Sequence, residues 1–377
     1  MKATPNQSKS RLPAELEDKL VAYSSALVDQ QAARVIVPPQ QSANGFWFGG
    51  GNLVEDELGN FLLVGRYRNH GDSRTGLGSG ERGLELAIFR STDRAQSFNK
   101  ILSWSKPELN VDSREVLSIE GAALHLSDRG AELFVSTEKT GIGYPGDLRD
   151  YLKPGTGVWT IERLRAPSVD RLKTAPLETV VVSEDPAHLH AKDPAVYRQK
   201  NGGLVLLFCT HPYCWSSSNT AYCMRESDGD IFSPPQFDFL PRGTTWDVAI
   251  TRGTAIVDVP QVGAFKNLYV SLIFYDGGES LRALDEHHSG VRRPRGYSCE
   301  EIGGAGYFVD GQLDQIHRLS RYTPQFVSPL GTGCSRYVDV LTTEDACFVT
   351  WQQSQHDLSQ PLVMNVATRA KLECFLS

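Results

Sequence analysis

Acidic residues stand at the start of several β-like runs in this 377-residue chain, at matching positions. Asp193 opens the run DPAVYRQKNGGLVLLF, and Glu120 opens EGAALHLSDRGAELFVS. Each reads as a strand, a Gly-containing turn and an apolar strand. Asp247 opens DVAITRGTAIVDV, which overlays the DPAVYR of the first run. Carboxyl groups brought close together shift one another's pKa, so one can stay protonated while its neighbour is ionised. The predicted chemistry is therefore general acid and base catalysis.

The same pattern recurs along the chain and predicts the fold. Copies begin near Asn52, Glu120, Asp193, Asp247 and Arg336, and each interval is long enough for four strands and a loop. We predict an all-β protein, a five-bladed β-propeller over residues 35–377, preceded by an extension over residues 1–34 with one helix. A two-domain β protein is the alternative. The first strand of each blade would line a central channel, so the side chains of Glu120, Asp193, Asp247 and Arg336 are expected to converge there.

The N-terminal helix is predicted from LPAELEDKLVAYSSALVDQQ. Pro13 stands early and acids occupy the first turn, as is typical of helix starts. Leu16, Leu20, Tyr23 and Leu27 would share one face.

Composition restricts the function classes. The formal net charge is −7, and no Lys or Arg run suggests a track for phosphates, so nucleic acid is not an expected partner. No uninterrupted apolar stretch is long enough for a membrane span, and no apolar signal-peptide core is visible. The seven cysteines contain no C-x-x-C pair. We expect a cytoplasmic protein with reduced thiols.

Further polar and aromatic residues fall near the expected rim of the channel. Flat rings and paired hydrogen-bonding groups suit sugar rings and their hydroxyls. The candidate substrate-binding residues are Arg336, Asn52, Arg68, His70, His211 and Trp215.

Other residues allow different interpretations. His188, His190 and His211 could ligate a metal with Asp193, but hydrogen-bonding histidines are the simpler interpretation, and we predict no metal site. Either Glu300 or Glu301 could supply the fourth blade's acid if Asp247 does not.

The KDPAVY and EGAALHLSDRGAELFVS motifs resemble those of five-bladed β-propeller glycoside hydrolases, the arabinanase, β-xylosidase and fructosidase group. That resemblance implies a glycosidase acting on an oligo- or polysaccharide, exo-acting rather than endo-acting. It implies catalytic carboxylates at Glu120, Asp193 and Asp247. No cofactor would be required, although a divalent cation in the channel is compatible with the group.

Alternatives from other classes remain open. The segment from Ser91 to Phe98 resembles a degenerate sialidase Asp box, a structural turn, and Arg66, Arg68, Arg90 and Arg336 could be offered as a sialidase arginine set. A metal-dependent lactonase or lyase would use Asn52, Glu120 and Asp193 as ligands. A non-catalytic carbohydrate-binding propeller would need no ring of acids.

For the glycosidase, the expected division of labour follows from blade order. Asp193 belongs to the blade between those of the other two acids, so its charge would shift the pKa of whichever of them must stay protonated. Glu120 and Asp247 would divide the acid and base work.

Overall fold

A computed structural model describes residues 11–69, 81–279 and 301–377 of the protein. It is a five-bladed β-propeller with a short N-terminal helix, which confirms the predicted fold class. Each blade is an antiparallel sheet whose strands follow one another outward from the axis. Among the described residues, no helix is long and apolar enough to cross a membrane.

The elements follow one another in a simple order. The first two are α1 (Ala14–Leu27) and β1 (Arg34–Val37). Blade 1 contains β2 (Trp47–Gly49), β3 (Leu53–Glu55), β4 (Phe61–Asn69), β5 (Glu81–Ser91) and β6 (Asn99–Ser105). Blade 2 contains β7 (Val116–Ser127), β8 (Gly130–Lys139), β9 (Val158–Ala166) and β10 (Leu177–Val181). Blade 3 contains β11 (His190–Arg198), β12 (Leu204–His211), β13 (Asn219–Arg225) and β14 (Gln236–Leu240). Blade 4 contains β15 (Ile250–Asp258), β16 (Val270–Gly278), β17 (Ile302–Val309) and β18 (His317–Arg318). Blade 5 contains β19 (Ser335–Thr342), β20 (Ala346–Gln353) and β21 (Leu362–Thr368), and the short helix α2 (Arg369–Glu373) follows.

The ring is closed by strands from both ends of the sequence. β1 pairs antiparallel with β21 and becomes the outermost strand of blade 5, with Arg34 opposite Met364 and Val35 opposite Val363. Blade 5 is therefore complete only when the first and last strands meet. Residue 34 already belongs to the propeller.

α1 packs against the last two blades. Leu20, Tyr23 and Leu27 are buried in the apolar cluster that also contains Phe274 and Trp351. Their spacing places them on one helical face. This burial fixes the helix to the ring at the place where the propeller closes.

The inner strands share a local irregularity. They begin at Trp47, Val116, His190, Ile250 and Ser335, close to the predicted positions. The strand register slips between Ile119 and Ala122 in β7, between Lys192 and Ala195 in β11, and between Arg336 and Asp339 in β19. Such bulges turn side chains out of the regular alternation and are frequent beside active sites. The three bulges lie near the face of the propeller at which the inner strands begin.

The segment that resembles an Asp box forms a turn between the outer strands β5 and β6. The Asp93 carboxylate accepts hydrogen bonds from the Ser97 N–H at 2.9 Å and the Ser97 hydroxyl at 2.6 Å, and the Ser91 hydroxyl accepts one from the Ala95 N–H at 2.8 Å. These bonds hold the turn together. The segment therefore has the structural role that its sequence predicts.

Candidate functional site

A cluster of opposite charges surrounds the axis where the inner strands begin. Its carboxylates are Glu120, Asp193, Asp276 and Glu301, and its cations are Arg66, Lys192, Arg252 and Arg336. The inner strands supply Glu120, Lys192, Asp193, Arg252 and Arg336, whereas Arg66 and Asp276 come from the ends of the second strands β4 and β16. Inner strands begin, and second strands end, at the same rim, so the topology brings these side chains together.

Glu120 is buried and paired with Arg66. Arg66 donates from Nη2 at 2.7 Å and from Nε at 3.1 Å to Oε2 of Glu120. Burial alone would raise the pKa of Glu120, but the charges of Arg66 and Lys192 outweigh it and lower that pKa to about 2. The carboxylate is therefore ionised at neutral pH.

Asp193 lies at the bulge of β11 with a left-handed backbone, φ 56°. Its carboxylate accepts hydrogen bonds from the Gly121 N–H at 2.9 Å and from Arg252 Nη1 at 3.0 Å, and Lys192 Nζ lies 3.7 Å away. Burial opposes ionisation, but Lys192 and Arg252 hold the pKa of Asp193 below its usual range. Asp adopts this conformation more readily than most residues, and here it accompanies the bulge at which the carboxylate meets Gly121 and Arg252.

Arg252 is the hub of the cluster. It donates to Asp276 Oδ2 at 2.8 and 3.0 Å and to Glu301 Oε2 at 2.6 Å, in addition to Asp193. Glu301 also pairs with Arg336. Burial would raise the pKa of Glu301, but Arg252 and Arg336 hold it well below its usual range. Burial raises the pKa of Asp276 to about 6, against the opposing charge of Arg252.

Tyr337 stands among three guanidinium groups. Its ring centroid lies 3.9 Å from Cζ of Arg252 and 5.4 Å from Cζ of both Arg66 and Arg336. Its N–H donates to both oxygens of Asp276, at 3.0 and 3.1 Å. Its φ is 57°, so the bulges of blades 3 and 5 share the left-handed conformation.

Asp247 does not join this cluster, which corrects the predicted convergence. It is fully buried in the turn before β15, where Arg318 Nε donates to its Oδ2 at 3.0 Å and the Tyr275 hydroxyl lies 3.4 Å away. Tyr275 and Asp276 are successive in β16, so their side chains point to opposite faces of blade 4. Asp247 lies on the Tyr275 face, away from Arg252.

The error has an identifiable source in the sequence overlay. DVAITR resembles DPAVYR, but in the sheets Lys192 lies opposite Cys209 on the second strand and Arg252 lies opposite Asp276. Arg252 therefore occupies the place of Lys192, and the overlay was displaced along the strand. The charged residue that ends the apolar run LYVSLIFYD, Asp276, was the available signal.

The predicted substrate-binding residues of blade 1 have distinct positions. Asn52 exchanges two hydrogen bonds with the backbone of Leu124, at 2.7 and 2.9 Å, and so joins the inner strands of blades 1 and 2. Arg68 stacks on Trp47 with Cζ 4.5 Å from the ring centroid, and Arg336 stacks on the same ring at 4.3 Å. His70 lies outside the described residues.

His211 and Trp215 lie together beside Lys192. Their ring centroids are 4.5 Å apart, and Lys192 Nζ lies 5.6 Å from the Trp215 ring. Burial holds the pKa of His211 well below its usual value, so its imidazole is neutral. His211 is therefore a hydrogen-bonding group at neutral pH rather than a cation.

A cavity lies on the axis beside the charge cluster. Its lining comes from the inner strands of all five blades and includes Asn52, Asp193, Arg252, Tyr337 and Asp339. Burial raises the pKa of Asp339 to about 7, and its Oδ2 accepts a hydrogen bond from the Leu53 N–H at 2.8 Å. Asp339 thus links blade 5 to blade 1.

The three histidines considered as metal ligands have other neighbours. His188 stacks on Phe237 with centroids 4.2 Å apart and contacts Thr210, whereas His190 and His211 pack on Trp215. Within residues 11–69, 81–279 and 301–377, no group of three or more His, Cys, Asp or Glu side chains is arranged to hold a metal ion.

Comparison with known proteins identifies the fold. No protein-family model matches the sequence, and no curated protein is similar to it. A protein solved as an RGII complex is similar with a TM-score of 0.59 at 10% identity, covering 93% of this protein and 95% of that one. A thermostable family-43 glycoside hydrolase is similar with a TM-score of 0.54 at 8% identity, covering 88% and 92%. The α-L-arabinofuranosidase PaAbf62A from Podospora anserina, solved with cellotriose, is similar with a TM-score of 0.51 at 9% identity, covering 90% and 96%.

The protein has the fold of the five-bladed propeller glycoside hydrolases. These similarities extend over nearly the whole propeller and agree with the predicted resemblance. At such low identity they establish the architecture and assign no residue a role.

Proposed function

We propose that this protein is a glycosidase that cleaves a glycosidic bond of an oligo- or polysaccharide at the charge cluster. The observation that supports this most directly is the juxtaposition of Glu120 and Asp193, because Gly121, the neighbour of Glu120, donates its N–H to Asp193. Two carboxyl groups beside a cavity are the usual requirement for glycoside hydrolysis. The fold shared with a family-43 glycoside hydrolase and an arabinofuranosidase supports the same class of activity.

The pKa values define the form in which the two carboxylates enter the reaction. Both are ionised at neutral pH, because their cationic neighbours outweigh burial. An ionised carboxylate can accept a proton from an attacking water or stabilise positive charge on the sugar ring in an oxocarbenium-like transition state. We assign Asp193 the role of a fixed negative charge, since three groups hold it in place, and Glu120 the role of the base that takes a proton from the attacking water. Asp339, which lines the cavity and whose pKa burial raises to about 7, gives its proton to the leaving oxygen as the glycosidic C–O bond breaks. Asp247 has no role in this scheme.

The substrate would be held by the groups beside these acids. Trp215 offers a partly exposed ring and His211 a neutral imidazole, both next to Lys192. We propose an exo-acting enzyme in the cytoplasm that requires no cofactor. The six described cysteines carry no disulfide, in keeping with that compartment.

A second candidate is a glycosidase for an acidic sugar. The three guanidinium groups around Tyr337 favour it, since arginines bind carboxylates and some sialidases use a tyrosine nucleophile. Arg66, Arg252 and Arg336 are each already paired with a carboxylate of the cluster, however. The neutral-sugar glycosidase is therefore the better supported of the two.

The test is a screen of aryl glycosides, aryl sialosides and oligosaccharides, with and without EDTA. We expect release of a sugar from a neutral substrate, unaffected by EDTA and lost in Asp193→Asn but not in Glu55→Gln, whose residue is exposed in blade 1. Release from sialosides alone would establish the second candidate. Loss of activity with EDTA, or full activity in Asp193→Asn, would contradict the proposal.

A further inference from the structure

A row of rings leads from the acids to the surface between blades 2 and 3. The aromatic row consists of Trp215, His190, Tyr144, Tyr213 and Tyr151. Successive centroids are 4.1, 5.9, 5.9 and 5.8 Å apart. Its inner end touches Lys192, whose ammonium group lies beside Asp193. The row is therefore continuous with the charge cluster.

The row is fixed from behind and open at its outer end. The Tyr144 hydroxyl donates to the Tyr213 carbonyl at 2.8 Å, and Trp159 packs edge-on against Trp215 at 6.2 Å. Tyr144 and Trp159 are buried, Tyr213 and Trp215 are partly exposed, and Tyr151 is 63% exposed. The accessible faces are those of Trp215, Tyr213 and Tyr151, and the buried His190 and Tyr144 pack between them. Rigid rings with accessible faces bind sugars at a low cost in conformational entropy.

Unpartnered polar atoms lie beneath the inner end of the row. His190 and His211 are both buried. Both ring nitrogens of His190 and Nδ1 of His211 make no hydrogen bond of normal geometry among the described residues, and the backbone of Tyr213 lies near the first imidazole and that of Ser217 near the second. A neutral imidazole carries one donor and one acceptor. Buried polar groups of this kind are normally satisfied by a ligand or a water molecule. Sugar hydroxyls, which donate and accept, match them.

The backbone at Trp215 adds an independent sign of function. Its φ is 56°, a left-handed conformation that is rare for a large side chain. The strain places the indole over His190 and His211 at 4.1 and 4.5 Å. A residue held in this way is typical of a ligand clamp.

We propose that the aromatic row is a binding subsite for the sugar units that adjoin the unit held at Asp193. The proposal rests on the proposed function, because it identifies the substrate as an oligosaccharide with several units and gives it a direction across the rim. The bound oligosaccharide extends from the acids across the surface between blades 2 and 3, and its outermost unit packs on Tyr151. Tyr151 and Tyr213 are then specificity residues for oligosaccharide length.

The experiment measures binding and oligosaccharide length together. Three proteins are compared by isothermal titration: one with Glu120→Gln alone, to prevent turnover, one that also carries Tyr151→Ala, and one that also carries Tyr322→Ala. Tyr322 lies beyond β18 of blade 4 and is 68% exposed, so it is a control with matched exposure. The probes are arabinobiose and arabinohexaose, xylobiose and xylohexaose, and mannobiose and mannohexaose.

We expect the hexasaccharide of one series to bind about tenfold more tightly than its disaccharide. Tyr151→Ala should remove most of that gain and leave the disaccharide affinity unchanged, and Tyr322→Ala should change neither. In the background without Glu120→Gln, the ratio of kcat/KM for long and short substrates should fall in the same way.

Three results would overturn the subsite: equal hexasaccharide affinity in the Tyr151→Ala protein, equal weakening by Tyr322→Ala, or no binding of any probe. Length-dependent binding that depends on Tyr151, without release of sugar by the wild-type protein, would instead overturn the proposed hydrolysis and leave the subsite standing. The two proposals therefore fail in different ways.

Discussion

Gly121 donates its N–H to the Asp193 carboxylate at 2.9 Å, and this bond joins the bulges of two neighbouring inner strands. A Cβ on Gly121 would meet Asp193 Oδ1 at 2.8 Å and Asp193 Cα at 2.9 Å. Only glycine therefore allows the two strands to approach so closely. The contact therefore sets the separation of Glu120 and Asp193 through the backbone of Gly121 on one side and the Asp193 carboxylate on the other.

Gly121→Ala should separate the two bulges. Because the Cβ would meet backbone as well as a carboxylate oxygen, the variant should lose about 1–3 kcal/mol of stability and most of its activity. Thermal unfolding and turnover on the substrate found by the screen measure both. Gly143→Ala is the control, since a Cβ there has nothing within 4 Å. Normal activity in Gly121→Ala would show that the contact does not set the site.

Asp193→Asn should lower kcat by about a thousandfold or more, because the charge proposed to stabilise the transition state is lost. The structure also predicts a loss of stability of about 3–5 kcal/mol, since Arg252 and Lys192 would lose a buried partner. Steady-state kinetics and urea unfolding separate the two effects. Glu55→Gln, at an exposed carboxylate, should change neither.

Asp247→Asn should destabilise the protein without removing its activity. The change leaves Arg318 beside a neutral partner in a buried place, at a cost of about 2–4 kcal/mol. The kcat of the variant should remain within a few fold of the wild-type value, because Asp247 does not contact the charge cluster. Turnover is measured well below the unfolding temperature. A loss of kcat comparable to that of Asp193→Asn would restore Asp247 to the site.

Arg66→Gln should move the acidic limb of the pH profile upward. With Arg66 present, the pKa of Glu120 is about 2, and without it burial would raise that pKa by roughly 1–3 units. The base would then become protonated, and kcat/KM would fall, at a higher pH than in the wild-type protein. Arg90→Gln is a control, because Arg90 pairs with the exposed Asp170. An unchanged profile would contradict the assignment of Glu120 as the base.

Asp339 should make stability depend on pH above its unfolded pKa. Its pKa is about 7 in the folded protein, raised by burial from an ordinary value of 3.8. The folded state therefore favours the protonated carboxyl group. The stability that this preference contributes is fully present below the unfolded pKa and is lost as the pH rises through about 7.

Asp339→Asn keeps a hydrogen-bond acceptor for Leu53 but has no charge to bury. Between about pH 5 and about pH 8, the free energy of unfolding of the variant should therefore rise by roughly 1–3 kcal/mol relative to that of the wild-type protein. Unfolding in urea at several pH values measures this difference. Asp128→Asn, in an exposed turn, should show no such gain.

The sequence alone determined the architecture and part of the charge cluster. The repeated acid, strand, turn and strand pattern predicted five blades, because each blade must bury apolar faces and turn at glycine. The spacing of Leu20, Tyr23 and Leu27 determined the helix. Glu120, Asp193 and Arg336 were found because they lie at the repeated position near the start of an inner strand.

The tertiary structure decided the partners of these residues. Asp276 and Arg66 come from second strands, whose ends reach the rim only in the folded ring, so no local pattern could pair them with the inner strands. The repeat overlay could not fix the register in blade 4, where the observed pairing puts Arg252 at the position of Lys192 and leaves Asp247 in the turn before the strand. The protonation states of these residues could not be predicted from the sequence either. They depend on burial and on the distances between charges that are far apart in the sequence, and only the closed propeller brings those charges together.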